Sequence, residues 1–168
     1  MTAMKSIFIG GMAGSGKTAI ALGLALKLRE QGLKVGYFKP LGSTHGPHQQ
    51  EDEDVILFQQ VLSLPYDANT ISPVRTGPYY LSGSRRDPAP LKEKMLQAYK
   101  TVAKDCDVLL IDGLLSPYTA ASLGFDAVNL AQMFDSALLY VARMEDDYSL
   151  DKTIFYNEHF RLAGIPVL

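Results

Sequence analysis

Residues 11–18 read GMAGSGKT, and this octapeptide limits what the chain can fold into more than any other feature. The spacing G-x-x-x-x-G-K-T is that of the P-loop, or Walker A, phosphate cradle. Its glycines let several backbone N–H groups turn inward around phosphate oxygens. An apolar Ile7-Phe8-Ile9 precedes it and an amphipathic stretch follows, so the cradle sits between a strand and the positive end of a helix. In that setting the expected cofactor-binding residues are Gly11, Met12, Ala13, Gly14, Ser15, Gly16, Lys17 and Thr18. Lys17 is expected to reach the β- and γ-phosphates and to act in catalysis, and Thr18 to place its hydroxyl on Mg²⁺.

Hydrophobic runs alternate with amphipathic stretches along the rest of the chain. Strands are predicted over 6–9, 35–38, 108–111 and 137–141, and helices over 17–31, 51–62, 91–104, 127–134 and 150–163. In the first helix Ile20, Leu22, Leu24, Leu26 and Leu28 are expected to face a sheet, with Gly32 as a left-handed end. Residues 65–90 are rich in Pro, Gly, Ser and Tyr and read as an irregular excursion. Gly164 caps the last helix, and Ile165-Pro166-Val167-Leu168 reads as the opening of another strand. The native protein is therefore expected to continue beyond Leu168. The pattern predicts an α/β chain with the three-layer P-loop NTPase fold, a mostly parallel central sheet with helices on both faces. At 168 residues and 47% hydrophobic it is expected to form one domain over 1–168.

Lys and Arg number 16 against 18 Asp and Glu, a net charge of -2. That balance argues against nucleic acid or a membrane surface as partner. The single cysteine, Cys106, has no disulfide partner and no zinc-like spacing, which fits a reducing cytoplasm. No signal-peptide core or spanning segment follows the N-terminus.

Further candidates lie after other strands. Asp112 ends the apolar run Val108-Leu109-Leu110-Ile111, where a carboxylate would stand beside a P-loop metal, either as ligand or behind one; a turn-opening Asp before Gly113 reads the same way. Lys39 follows the second strand at the edge where open parallel sheets bind ligands, with Ser43 and Thr44 just beyond, and a solvated turn fits these residues equally. Asp52 and Asp54 open a helix, where a carboxylate either caps free N–H groups or points across the cleft at a metal, and Asp52 is read as the cap. His45 and His48 lack a third ligand and are read as structural, and Tyr79, Tyr80, Arg85 and Arg86 as an ordinary surface loop.

GMAGSGKT, the segment Gly36-Tyr37-Phe38-Lys39-Pro40-Leu41-Gly42-Ser43, the Asp52-Glu53-Asp54 helix start and Ile111-Asp112-Gly113 together resemble the dethiobiotin synthetase-like P-loop proteins, over nearly the whole chain. Within that group the likeness is greatest to the N-terminal domain of long phosphate acetyltransferases and to relatives carrying a DRTGG domain; cobyrinic acid a,c-diamide synthase is more distant. The resemblance implies ATP and Mg²⁺ as cofactors, Thr18, Asp54 and Asp112 at the metal, and Lys39 and Ser43 on the substrate side, with Lys39 joining Lys17 in catalysis. It also implies a further domain beyond Leu168 and admits a homodimer. The base-reading Asn of the family lies past the strand that begins at Ile165, which leaves ATP against GTP open. Ala13 and Gly14 stand where dethiobiotin synthetase has Thr-Glu, and Asp112 where it has Glu. The differences speak against dethiobiotin formation; the missing Glu, the strand left incomplete at Leu168 and the greater likeness to the acetyltransferase domain favour a nucleotide-sensing regulatory module over the second reading, an ATP-dependent synthetase that activates a small carboxylate or carbamate. A partitioning-type ATPase needs a second lysine early in the loop, and Met12 and Ala13 supply none.

Overall fold

The computed structural model describes residues 5–43, 52–77, 79–81 and 87–168. The first strand, β1 (Lys5–Gly11), leads through the glycine-rich loop into α1 (Lys17–Glu30). Next come β2 (Val35–Phe38), β3 (Leu41–Ser43), α2 (Glu53–Val61), α3 (Ala68–Ile71) and β4 (Val74–Thr76). The chain continues as α4 (Ala89–Ala103), β5 (Val108–Asp112), a 3₁₀ turn (Ala121–Leu123), α5 (Ala127–Met133), β6 (Ala137–Val141) and α6 (Asp147–Leu162). Four parallel strands form the main sheet in the order β2-β5-β1-β6.

Side-chain alternation along these strands divides the interior into two cores. Phe8, Phe38, Leu109, Ile111 and Leu138 point to one face, where Met95 and Val102 of α4, Leu130 and Ala131 of α5 and Phe160 of α6 cover them. Ile9, Val35, Tyr37, Val108 and Leu110 point to the other, under Ala21 and Ala25 of α1 and Val55 and Phe58 of α2. Both faces are covered, so the strands read as nearly continuous apolar runs, as buried parallel strands do. The α/β architecture with helices on both sides of a parallel sheet is as predicted.

Several local expectations are corrected. On α1 the fully buried positions are Ala21 and Ala25; Ile20 and Leu26 are exposed, and Leu22, Leu24 and Leu28 pack only at the margin of the core. Small side chains let the helix lie close to the sheet, and the leucines flank that contact. Residues 65–90 are not irregular throughout: α3 is capped by Asp67, and β4 pairs in parallel with β3 as a separate two-stranded ribbon. Asp52 caps α2 through the amide of Asp54, so this helix begins two residues later than predicted. Helix α6 begins a turn earlier than predicted, because Asp146 and Ser149 form a reciprocal capping box. The expected final strand is present as a parallel bridge of Val167 to Leu138, with the Leu168 amide donating to the Leu138 carbonyl at 2.8 Å. Thr44, His45, His48, Glu51, Arg85 and Arg86 lie outside the described residues. No described helix is long and apolar enough to cross a membrane.

Candidate functional site

Strand β1 ends between β5 and β6, and the loop that leaves it is shaped by glycine. Gly14 and Gly16 have φ of 73° and 90°, left-handed values that cost other residues steric strain. A side chain at Gly11 would run into the Val141 carbonyl of β6. The Lys17 ammonium folds back over the loop and donates to the carbonyls of Met12 at 2.8 Å and Gly11 at 3.3 Å. Burial lowers the Lys17 pKa, partly opposed by the attraction of Asp112.

Beside the loop, residues from three other elements converge. Lys39 directly follows β2, and its amide donates to the Ile71 carbonyl at the end of α3, which fixes its backbone. Its side chain is 8% exposed, and its ammonium lies 2.9 Å from Asp52, 2.6 Å from Asp54 and 3.4 Å from Asp112. Burial opposes the charge on Lys39. The attraction of Asp112 and Asp52 and hydrogen bonds to Asp54 and Asp52 outweigh it, so the ammonium is held above the usual lysine range. Lys39 is thus the centre of a buried ion cluster, not a solvated turn residue.

The three acids play different parts. Asp52 accepts from Lys39 and, at 2.8 Å, from the Ser43 amide, so it binds the β3 ribbon to the cluster besides capping α2. Asp54 takes the Thr18 hydroxyl at 3.0 Å on one oxygen and Lys39 on the other. Asp112 is only 3% exposed and receives the Tyr37 hydroxyl on Oδ2 at 2.7 Å, while its Oδ1 is buried with no hydrogen-bond partner. Burial pushes the Asp112 carboxyl above the usual range against the pull of Lys39 and Tyr37.

These groups floor a cavity of about 490 Å³. Ala13, Gly14, Lys17, Thr18, Lys39, Ser43, Asp54 and Asp112 line its polar end, and Leu41, Tyr80, Leu114, Leu115, Thr76 and Thr119 its far walls. A second, smaller cavity of about 260 Å³ lies on the other side of the loop, between Met12–Ser15 and a wall carrying Tyr140, Arg143, Asp146 and Lys152. Ala13 and Gly14 border both, so a ligand seated on the loop reaches either space. The structure therefore brings the loop residues, Lys39 and Ser43, Asp54 and Asp112 to one place, whereas Thr44 lies outside the described residues. Sequence reasoning did not find Tyr37, which looks like a core aromatic in an apolar strand, nor the ion pair of Asp52, which looks like a cap alone. Tyr80 borders the cavity, whereas Tyr79 is 82% exposed.

Among the described residues, no group of three or more His, Cys, Asp or Glu is arranged to hold a metal by itself. Thr18, Asp54 and Asp112 nevertheless offer hard oxygen donors. Mg²⁺ is commonly held by one or two carboxylates together with water and substrate phosphates, and the orphaned Asp112 oxygen is a donor of that kind.

A family described as AAA domain, AAA_26, matches residues 5–168. The phosphate acetyltransferase of Pseudomonas aeruginosa is 28% identical over 157 residues, which are 91% of this chain and 21% of that protein. The ATP-dependent dethiobiotin synthetase BioD of Methanocaldococcus jannaschii is 29% identical over 171 residues, 96% of this chain and 76% of that enzyme. The chain thus spans about a fifth of the acetyltransferases it matches. Among solved structures, the kinase domain of the Escherichia coli tyrosine kinase ETK superposes with a TM-score of 0.58 at 14% identity, over 97% of this chain and 64% of that one. A Pyrococcus abyssi GTPase in apo form gives 0.51 at 17% identity, over 100% and 66%. At these identities the structural likeness speaks for the fold alone.

Proposed function

The chain belongs to the AAA_26 family of AAA domains, and on that footing we propose that it binds ATP with Mg²⁺ as the nucleotide-sensing regulatory module of a larger metabolic protein. One observation carries the nucleotide reading. Three carboxylates surround a single ammonium beside the phosphate loop, and one buried carboxylate oxygen is left without a partner. A buried acceptor without a donor is costly, and the deficit here is one of positive charge. Mg²⁺ fits it, with Thr18, Asp54 and Asp112 as the residues that would hold it, and when bound it would neutralise charge on the phosphates. On binding, Lys17 exchanges its two loop carbonyls for phosphate oxygens, a stronger charge-assisted contact. The loop amides and the start of α1 receive the phosphates, and the cavity near Arg143 and Lys152 has room for the nucleoside.

The sensing role is supported by the small share of the acetyltransferases that the chain spans and by Ala13 and Gly14 in the loop. The synthetase reading is favoured by a different observation, the cavity extending past the cradle from Lys39 to Leu114 and Leu115. That space suits a small carboxylate or carbamate placed for phosphoryl transfer.

Calorimetry of ATP with Mg²⁺ on the parent and on Lys17→Ala tests the binding, with an expected loss of roughly a hundredfold in affinity. Equal affinity for the two proteins would remove the phosphate assignment. Phosphate release measured with and without small carboxylates or amines then separates the roles. A sensor gives no more than the Lys17→Ala background, whereas stimulation by such a substrate favours the synthetase.

A further inference from the structure

We infer that Tyr37 is the positioning residue of the site: its hydroxyl occupies Oδ2 of Asp112 and so reserves Oδ1 for a cation at the phosphate loop. This inference rests on the Mg²⁺-nucleotide reading above. Tyr37 is fully buried and stacks flat on Phe58 of α2, with ring centroids 3.7 Å apart and planes 5° from parallel. The ring has no freedom to follow the carboxylate, so the 2.7 Å bond makes the carboxylate follow the ring.

A carboxylate turns easily about its last bond, because that torsion is broad and roughly two-fold. Lys39 alone would not fix it, since its ammonium is 3.4 Å from Oδ2 and already bonded to Asp52 and Asp54. The phenol breaks the equivalence of the two oxygens. One is consumed by a neutral donor, and the other stays buried and unpartnered in a residue that borders the cavity. Tyr37 also spans the two sides of the site: it grows from β2, stacks on the helix that carries Asp54, and holds the strand that carries Asp112. Its contribution is to orientation, with no contact to nucleotide required.

Tyr37→Phe keeps the ring and its stack and removes the hydroxyl. Titration calorimetry of ATP on the whole chain, in saturating Mg²⁺ and in EDTA, gives the factor by which Mg²⁺ strengthens binding. That factor is expected to fall roughly tenfold in Tyr37→Phe, the worth of one hydrogen bond to a charged group, with affinity in EDTA unchanged. Val102→Ala, a cavity variant under the opposite face of the sheet, lowers the melting temperature and should leave the Mg²⁺ factor alone, which separates orientation from general destabilisation. Full Mg²⁺ enhancement in Tyr37→Phe, or an equal loss with and without the metal, would overturn the inference while leaving the nucleotide reading intact. A parent protein whose ATP binding ignores Mg²⁺ would overturn that reading and this inference with it.

Discussion

The Thr18 hydroxyl donates to Oδ1 of Asp54 across 3.0 Å, joining the first turn of α1 to the first turn of α2. One bond thus connects the phosphate loop to the acidic cluster before any ligand arrives. Thr18→Ala and Asp54→Asn should each weaken Mg²⁺-dependent ATP binding, and the double variant should lose less than the two losses added together. A coupling of about 1 kcal/mol is expected in a double-mutant cycle of ATP affinity, since the residues share one hydrogen bond. Strict additivity would mean that the contact plays no part in binding.

Lys39→Ala should be costly to the fold itself. It leaves Asp52, Asp54 and Asp112 crowded and without their cation, and breaking a buried ion cluster from one side costs about 3–5 kcal/mol. The Lys39 pKa is raised in the folded state, so its stabilisation is fully present below the unfolded lysine value and is lost only at still higher pH. Loss of the Lys39 charge therefore adds no slope to the stability gap between parent and Lys39→Ala from neutral pH up to about pH 9. In more acid solution the gap should narrow as the Asp112 carboxyl, held above the usual range by burial and now without the opposing pull of Lys39, takes up a proton. Urea titrations across that range measure it.

Asp112 gives the opposite diagnostic from a carboxylate. Its folded pKa is raised by burial, so the folded state binds more protons there than the unfolded chain does. That contribution favours folding below the unfolded carboxylate value and fades as pH rises through the folded one. Relative to Asp112→Asn, the parent should thus gain stability on acidification from neutral pH. Thermal unfolding of the two proteins in parallel checks the sign, and the variant should also need more Mg²⁺ to reach full ATP affinity.

Gly36→Ala should damage the fold without touching the cradle. A methyl group there would stand 2.5 Å from the Cys106 sulfur and 2.9 Å from a Leu109 methyl, contacts that force β2 and β5 apart or their side chains aside. Overpacking of this kind costs about 1–3 kcal/mol. Cys106→Ala in the same chain should restore part of the lost melting temperature, because it removes the nearer obstacle.

The phosphate loop was legible because its function requires glycine, lysine and threonine at set intervals, and that requirement is written locally. The four main strands were legible because burial on both faces leaves continuous apolar runs such as Val108-Leu109-Leu110-Ile111. Strands β3 and β4 were not, since three residues carry no measurable alternation and each depends on a partner more than thirty positions away. Lys39 could be placed at the right edge, but its burial follows from Asp52, Asp54 and Asp112 arriving from two other elements. Tyr37 was hidden for a related reason: its ring obeys the strand's apolar pattern, and only the fold reveals which acid its hydroxyl meets.

Strand β1 is paired along both edges, whereas among the described residues β3 and β4 form a two-stranded ribbon of three residues apiece. Seen through deuterium uptake, the two halves of the site therefore have different lifetimes. Amides of β1 that anchor the phosphate loop should exchange only when the whole molecule opens, while those of the ribbon holding Ser43 should exchange by brief local fraying. The loop is the fixed half of the site, and the side that carries Asp52 and Ser43 is where a bound nucleotide has protection left to add.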